Sequence, residues 1–232
     1  MFFPVICSEG ISFSLLSELA ELDGIELISL IIAAVLAIVL IVAVAVYVKN
    51  SANKSELSGR PQNKTRNLVT AAMFVSIAFV LSYFKVFSMP FGGSVTILSM
   101  LPITLFAAWY GPAYGFIAAF AYSLLQMIQG VWIVHPVQFV LDYLLAFTVL
   151  GVASFFPKKV ALGVAIACFA RMLVSTISGA VFFGEYAADY GFSNAWAYSF
   201  CYNATTIGIE GVLCVIAAAL PFTKRLREQL VK

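Results

Sequence analysis

PKKVALGVAIACFARMLVSTISGAVFF, residues 157–183, is the stretch that decides how this chain is built. From Val160 to Phe183 it is long enough to cross a hydrocarbon core, which takes roughly 20 apolar residues in helical form, and Arg171 is its only charged side chain. Pro157 breaks the preceding run, and Lys158 and Lys159 hold the turn on one side of the bilayer. The composition extends that reading to the whole chain. With 62% hydrophobic and 10% charged residues and a mean hydropathy of +1.01, it stands far from soluble domains, in which about a quarter of residues are charged. This is an all-α integral membrane protein. The formal net charge of +2 is too small to suggest nucleic acid as a partner, and no strip of interleaved basic and aromatic residues offers a base-stacking surface.

Working outward, residues 1–24 are acidic through Glu9, Glu18, Glu21 and Asp23, and they lack the basic start of a cleavable signal. Residues 25–48 form an additional N-terminal transmembrane helix, with no charge after Glu26. Residues 49–67 form a basic linker carrying Lys49, Lys54, Arg60, Lys64 and Arg66, with Gly59 and Pro61 as breakers. Residues 68–232 then supply a membrane domain of six spans: Leu68 to Phe84, Val95 to Trp109, Tyr114 to Gln129, Phe139 to Phe156, Val160 to Phe183, and Ala197 to Leu220. Lys and Arg concentrate in alternate connections: the linker, the Lys158 and Lys159 turn, and the tail with Lys224, Arg225, Arg227 and Lys232. The positive-inside rule therefore places the linker and the C-terminus in the cytoplasm of a multi-pass bacterial cell-membrane protein, with residues 1–24 extracellular.

Charged groups inside spans cost about 2.5–3.5 kcal/mol each on insertion scales, so they face a bundle interior or a cavity. Here they are Asp142, Arg171 and Glu210. A rise of about 1.5 Å per residue puts Asp142 roughly 5 Å from the outer end of its span and the other two near mid-membrane. That shared depth predicts a structural ion pair between Arg171 and Glu210. Asp142 is left without a protein partner, and an unpaired carboxylate in a pocket suits a cationic ligand. Helical spacing groups His135, Gln138 and Asp142 on one face, Tyr122, Gln126 and Gln129 on a second, and Ser199, Asn203, Thr206 and Glu210 on a third. Such stripes either line a cavity or act as interhelical glue worth about 0.6 kcal/mol per contact. The convergence of acid, amide, phenol and aromatic faces at one depth favours the cavity, because an organic cation gains from a carboxylate and from ring faces together. Cys7, Cys168, Cys201 and Cys214 show no metal-ligand spacing, so no metal and no cofactor is expected.

The motifs Gly92-Gly93-Ser94-Val95-Thr96, His135-Pro136-Val137-Gln138 running into Leu141-Asp142-Tyr143, Ser178-Gly179-Ala180-Val181-Phe182-Phe183, and Tyr198-Ser199 followed by Tyr202-Asn203 occur in order along the six-span frame. From about Arg66 to the C-terminus the chain resembles the ThiT family, the thiamine-specific substrate-binding (S) subunits of energy-coupling factor (ECF) vitamin transporters. The resemblance implies a six-helix ECF S-component core that binds thiamine in an outward-facing pocket. It also implies work with a transmembrane coupling protein and two ATPase subunits, and a loop, here Phe87 to Ser94, that closes over the ligand. By the same resemblance Asp142 is the pocket carboxylate and Tyr143 follows it, while Tyr198 and Asn203 contact the ligand from the last helix. Phe183 stands where the family has a stacking Trp, and Ser175 where it has a pocket His. In the family, small residues of the first core helix meet the coupling protein, a face to which Ala71, Ala72, Ser76 and Ala78 correspond. The additional N-terminal span has no counterpart there.

Besides a purely structural or assembly membrane protein, in which Asp142→Asn would leave every ligand measurement unchanged, two other readings stay open on the residues alone. One is an S subunit for a different vitamin or small organic ligand, with Arg171 near the pocket floor able to meet an anion. The other is an intramembrane enzyme, against which stand the lack of HExxH and GxSxG and of a second carboxylate near Asp142 in sequence. No catalytic residue is therefore assigned. Nor is there a GxxxxGK[ST] phosphate loop, so ATP-driven uptake needs separate ATPase subunits.

Overall fold

The computed structural model describes residues 64–230. The expected extracellular segment 1–24, the additional span 25–48 and nearly all of the linker 49–67 lie outside the described residues. Six membrane helices follow: α1 (Lys64–Tyr83), α2 (Met100–Tyr110), α3 (Pro112–Gln126), α4 (Pro136–Phe155), α5 (Val160–Phe182) and α6 (Ala195–Ala219). A seventh, α7 (Pro221–Leu230), closes the chain. By length and composition α1, α4, α5 and α6 can each cross a membrane.

Most boundaries fall within three residues of the sequence reading; three features depart further, each for a physical reason. First, α1 begins at Lys64, inside the expected linker. Its basic first turn reaches across the bundle end, where Arg66 Nη2 donates to the Leu230 carbonyl at 3.2 Å. Second, the expected span from Val95 to Trp109 is a helix of only 11 residues, about 16 Å long. Almost all of it is buried, from Met100 through Trp109, as expected for a helix that is apolar on every side. It is a central post that the other helices surround. Third, the tail is helical. Leu220, extended because Pro221 follows it, breaks α6, and Leu226 and Leu230 then pack against the main core.

The small residues of α1 do not form one face. Ala71 and Ala78 are buried with Phe74 and Val75, whereas Ala72 and Ser76 are exposed beside Met73 and Ile77. At 100° per residue these are two different sides of the helix.

Between α1 and α2 the chain forms a hairpin of β1 (Lys85–Ser88) and β2 (Ser94–Thr96), antiparallel and carrying a bulge between Lys85 and Phe87. The segment expected to be a loop, Phe87 to Ser94, is thus mostly ladder and tight turn, closed by Met89 N–H donating to the Gly93 carbonyl at 2.7 Å. The hairpin lies at the end of the bundle that holds the α3–α4 and α5–α6 connections. Lys158, Lys159 and α7 lie at the other end.

Two helices depart from α-geometry in mid-course. Residues Val140–Leu145 of α4 and Ala204–Gly208 of α6 are π-helical, with Ala146 N–H reaching Leu141 O and Ile209 N–H reaching Ala204 O. Each such turn rotates the side chains beyond it by an extra increment, and π-bulges gather at functional sites.

Candidate functional site

A cavity of about 450 Å³ opens at the hairpin end of the bundle, within the ~300–1,000 Å³ range of small-molecule sites. All three polar stripes read from the sequence reach it. Gln138 and Asp142 arrive from α4, Tyr122 and Gln126 from α3 with Gln129 just beyond it, and Ser199, Asn203, Thr206 and Glu210 from α6. The remaining expected site residues Tyr143, Ser175, Phe183 and Tyr198 line the same space. Asp142, Tyr198 and Asn203 therefore share one cavity and do not face lipid.

His135 is the exception. Its backbone is extended (φ −146°, ψ 146°), so it precedes α4 as the N-cap, and helical spacing cannot carry it onto the face of Gln138. Its Nδ1 accepts the Val137 N–H at 3.2 Å, and its ring stacks on Phe182 at 5.3 Å between centroids. It lies outside the cavity lining. His135→Ala is expected to lower stability by about 1 kcal/mol, the scale of a lost helix cap, and to leave ligand affinity within about twofold. Thermal unfolding and titration of the variant check both halves.

The expected ion pair is also replaced. Glu210, only 3% exposed, accepts Thr96 Oγ1–H on Oε2 at 2.7 Å and Ser99 Oγ–H on Oε1 at 2.8 Å, with Met100 N–H on Oε1 at 3.3 Å. The carboxylate thus caps the start of α2, where unpaired backbone N–H groups favour negative charge. Arg171 instead lies over the Phe147 ring, its Cζ 4.0 Å from the centroid. Equal depth predicted a pairing between α5 and α6, but the β2–α2 corner supplies hydroxyls that reach Glu210 first. Both groups still line the cavity.

Asp142 is held differently. It sits in the π-turn of α4 and accepts one hydrogen bond, from Gln138 Nε2 to Oδ2 at 2.8 Å. Gln138 is 2% exposed and ties this carboxylate to the α3–α4 connection, donating also to the Trp132 carbonyl and accepting the Val134 N–H, both at 3.2 Å. Tyr143 Oη accepts the Trp132 N–H at 2.9 Å. The buried Ser178 hydroxyl, which bonds to nothing else, lies beside the same carboxyl, so Asp142 meets two neutral donors where Glu210 meets three, and of the two carboxylates in the cavity it is the less fully bonded.

Aromatic faces surround the mouth. Tyr198 stacks with Tyr190 at 5.5 Å and meets Phe192 nearly edge-on at 5.8 Å, and Phe183 lies beside Tyr186. On the far wall α5 and α6 touch closely: Ser199 Oγ donates to the Thr176 carbonyl at 2.7 Å, and a Cβ on Gly179 would collide with that same Ser199 hydroxyl. Asn203 Nδ2 donates to the Ser199 carbonyl at 2.9 Å. Sequence reading missed Trp132, Tyr202 and the Thr96–Ser99 pair as parts of this site. Trp132 and the Thr96–Ser99 pair come from connections, where helical period gives no signal, whereas Tyr202 precedes the π-turn of α6 and stands four residues after Tyr198, a spacing the sequence does show.

A family model described as thiamine transporter protein matches residues 68–230. The chain is 32% identical over 174 residues to the thiamine transporter ThiT of Bacillus subtilis strain 168, covering 67% of this chain and 89% of that protein. To the thiamine transporter ThiT of Lacticaseibacillus paracasei it is 29% identical over 150 residues, covering 54% of this chain and 72% of that one. The fold also matches a solved structure of ThiT from Listeria monocytogenes with a TM-score of 0.59 at 22% identity, over 73% of this chain and 99% of that chain.

Proposed function

This chain belongs to the thiamine transporter protein family, and we propose that it binds thiamine in the cavity beside Asp142 as the S subunit of an ECF importer. The family is one of transporters, not enzymes. The observation that carries the binding site is Asp142 itself: a carboxylate met only by the neutral Gln138 amide and Ser178 hydroxyl, walled by Tyr143, Phe183 and Tyr198. A cationic heteroaromatic ligand gains both a charge-assisted contact and ring faces there. Deeper in the bundle Glu210 adds formal negative charge and Arg171 offsets it, so the buried part of the site carries one negative charge in excess.

The cavity opens toward the extracellular side in this reading. Support comes from charge: Lys64, Arg66, Lys158, Lys159, Lys224, Arg225 and Arg227 all lie at the bundle end opposite the cavity, and such residues favour the cytoplasm. A transmembrane coupling protein and two ATPases complete the importer, since the chain has no phosphate-binding loop of its own.

Calorimetric titration of the purified protein with thiamine, riboflavin and biotin tests the assignment. Tight binding of thiamine alone is the expected result. A preference for riboflavin or biotin would reassign the subunit to another vitamin, a reading to which Phe183 and Ser175, the departures from the family's stacking residues, lend support.

A further inference from the structure

The β1–β2 hairpin is tied to α6 at two places of unequal strength. At its base, the Glu210 carboxylate takes Thr96, Ser99 and the Met100 N–H in a buried, charge-assisted cluster. At its tip one hydroxyl of α6 makes two bonds: Tyr202 Oη accepts the Gly93 N–H at 2.9 Å and donates to the Pro90 carbonyl. The two ties are eight residues apart along α6, about 12 Å, and the π-turn and the lining residues Asn203 and Thr206 lie between them. Gly93 is shaped for the tip contact. A Cβ there would overlap the Tyr202 hydroxyl and its ring, so glycine is the residue that lets the phenol approach. Gly92, at φ +88°, supplies the left-handed turn that aims the Gly93 N–H at it.

We propose that Tyr202 is a positioning residue whose hydroxyl latches the hairpin tip to α6 and sets how long a ligand stays in the cavity, while Glu210 keeps the hairpin base fixed. Lys85, Gly92, Gly93 and Ser94 of the hairpin line the cavity mouth, so a ligand inside is confined as long as the tip is held. The tip is the weaker tie because its bonds are neutral and partly exposed to solvent, whereas those at the base are buried and end on a carboxylate. Opening therefore pivots the tip about the base. The residence-time consequence rests on the proposed thiamine site; the latch itself does not.

Tyr202→Phe keeps the ring, and with it the contact to Tyr198, and removes only the hydroxyl. Gly93→Ala breaks the same latch from the other side by steric displacement. Both are made in the full chain, and two quantities are read: amide hydrogen exchange across residues 85–98 in the absence of ligand, and the rate of thiamine release by stopped-flow fluorescence. In both variants tip amides are expected to exchange about tenfold faster than in the unaltered protein, the scale of one net hydrogen bond, and thiamine to leave about tenfold faster. Unchanged hairpin exchange in both variants would overturn the latch. Faster release with unchanged exchange would also overturn it, assigning Tyr202 to direct ligand contact. Should the unaltered protein bind no thiamine, the proposed function fails, and the exchange measurement still judges the latch.

Discussion

Asp142→Asn is expected to lower thiamine affinity roughly a hundredfold or more while leaving the fold intact. Asparagine has the same shape and its carbonyl oxygen can still accept the Gln138 Nε2 hydrogen now donated to Oδ2, so the α3–α4 connection keeps its anchor. What disappears is the formal charge. Removing one partner from a buried, hydrogen-bonded charge pair costs about 2–5 kcal/mol of binding, and each ~1.4 kcal/mol is a factor of ten. Calorimetry measures the affinity, and thermal unfolding of the ligand-free variant shows whether the scaffold is unaltered. An affinity within threefold of the unaltered protein would remove Asp142 from cation recognition and with it the main support for the proposed site.

The second large effect is one of stability. Glu210→Ala leaves the Met100 N–H and one hydroxyl proton without an acceptor, because Thr96 and Ser99, 2.8 Å apart, can satisfy only one of their two protons between them. Each buried unsatisfied donor costs about 1–3 kcal/mol, and the deleted side chain leaves space at the start of α2. A loss of about 3 kcal/mol follows, roughly 10 °C in unfolding temperature for a domain of this size. Glu210→Gln keeps a carbonyl acceptor and a similar shape, so it should recover more than half of that loss. Arg171→Met, in contrast, should leave the β2–α2 corner unaffected, since Arg171 does not pair with Glu210. Equal destabilisation by Arg171→Met and Glu210→Ala would indicate that the two charges act as a pair after all. Differential scanning fluorimetry of the three variants separates these outcomes.

The sequence and the structure agree where a property is local. Span positions depend on the run of apolar residues against a hydrocarbon core of about 30 Å; a helix appears at each of the six, and four of these are long and apolar enough to cross. The polar stripes depend on helical period, and those through Gln138–Asp142, Tyr122–Gln129 and Ser199–Glu210 reach one cavity. His135 failed the same test because it precedes the helix whose period was applied to it. α2 was read too long because Val95 and Thr96, although apolar or β-branched like a span, pair with β1.

Local patterns alone thus settled that this is a multi-spanning membrane protein with a polar interior at one end, since bilayer thickness and helix pitch act on neighbouring residues. Tertiary structure alone decided which group each buried charge meets. Glu210 went to the β2–α2 corner and Arg171 to the Phe147 ring, because a choice between partners of equal depth turns on interhelical geometry and on π-turns that no repeat in the chain records.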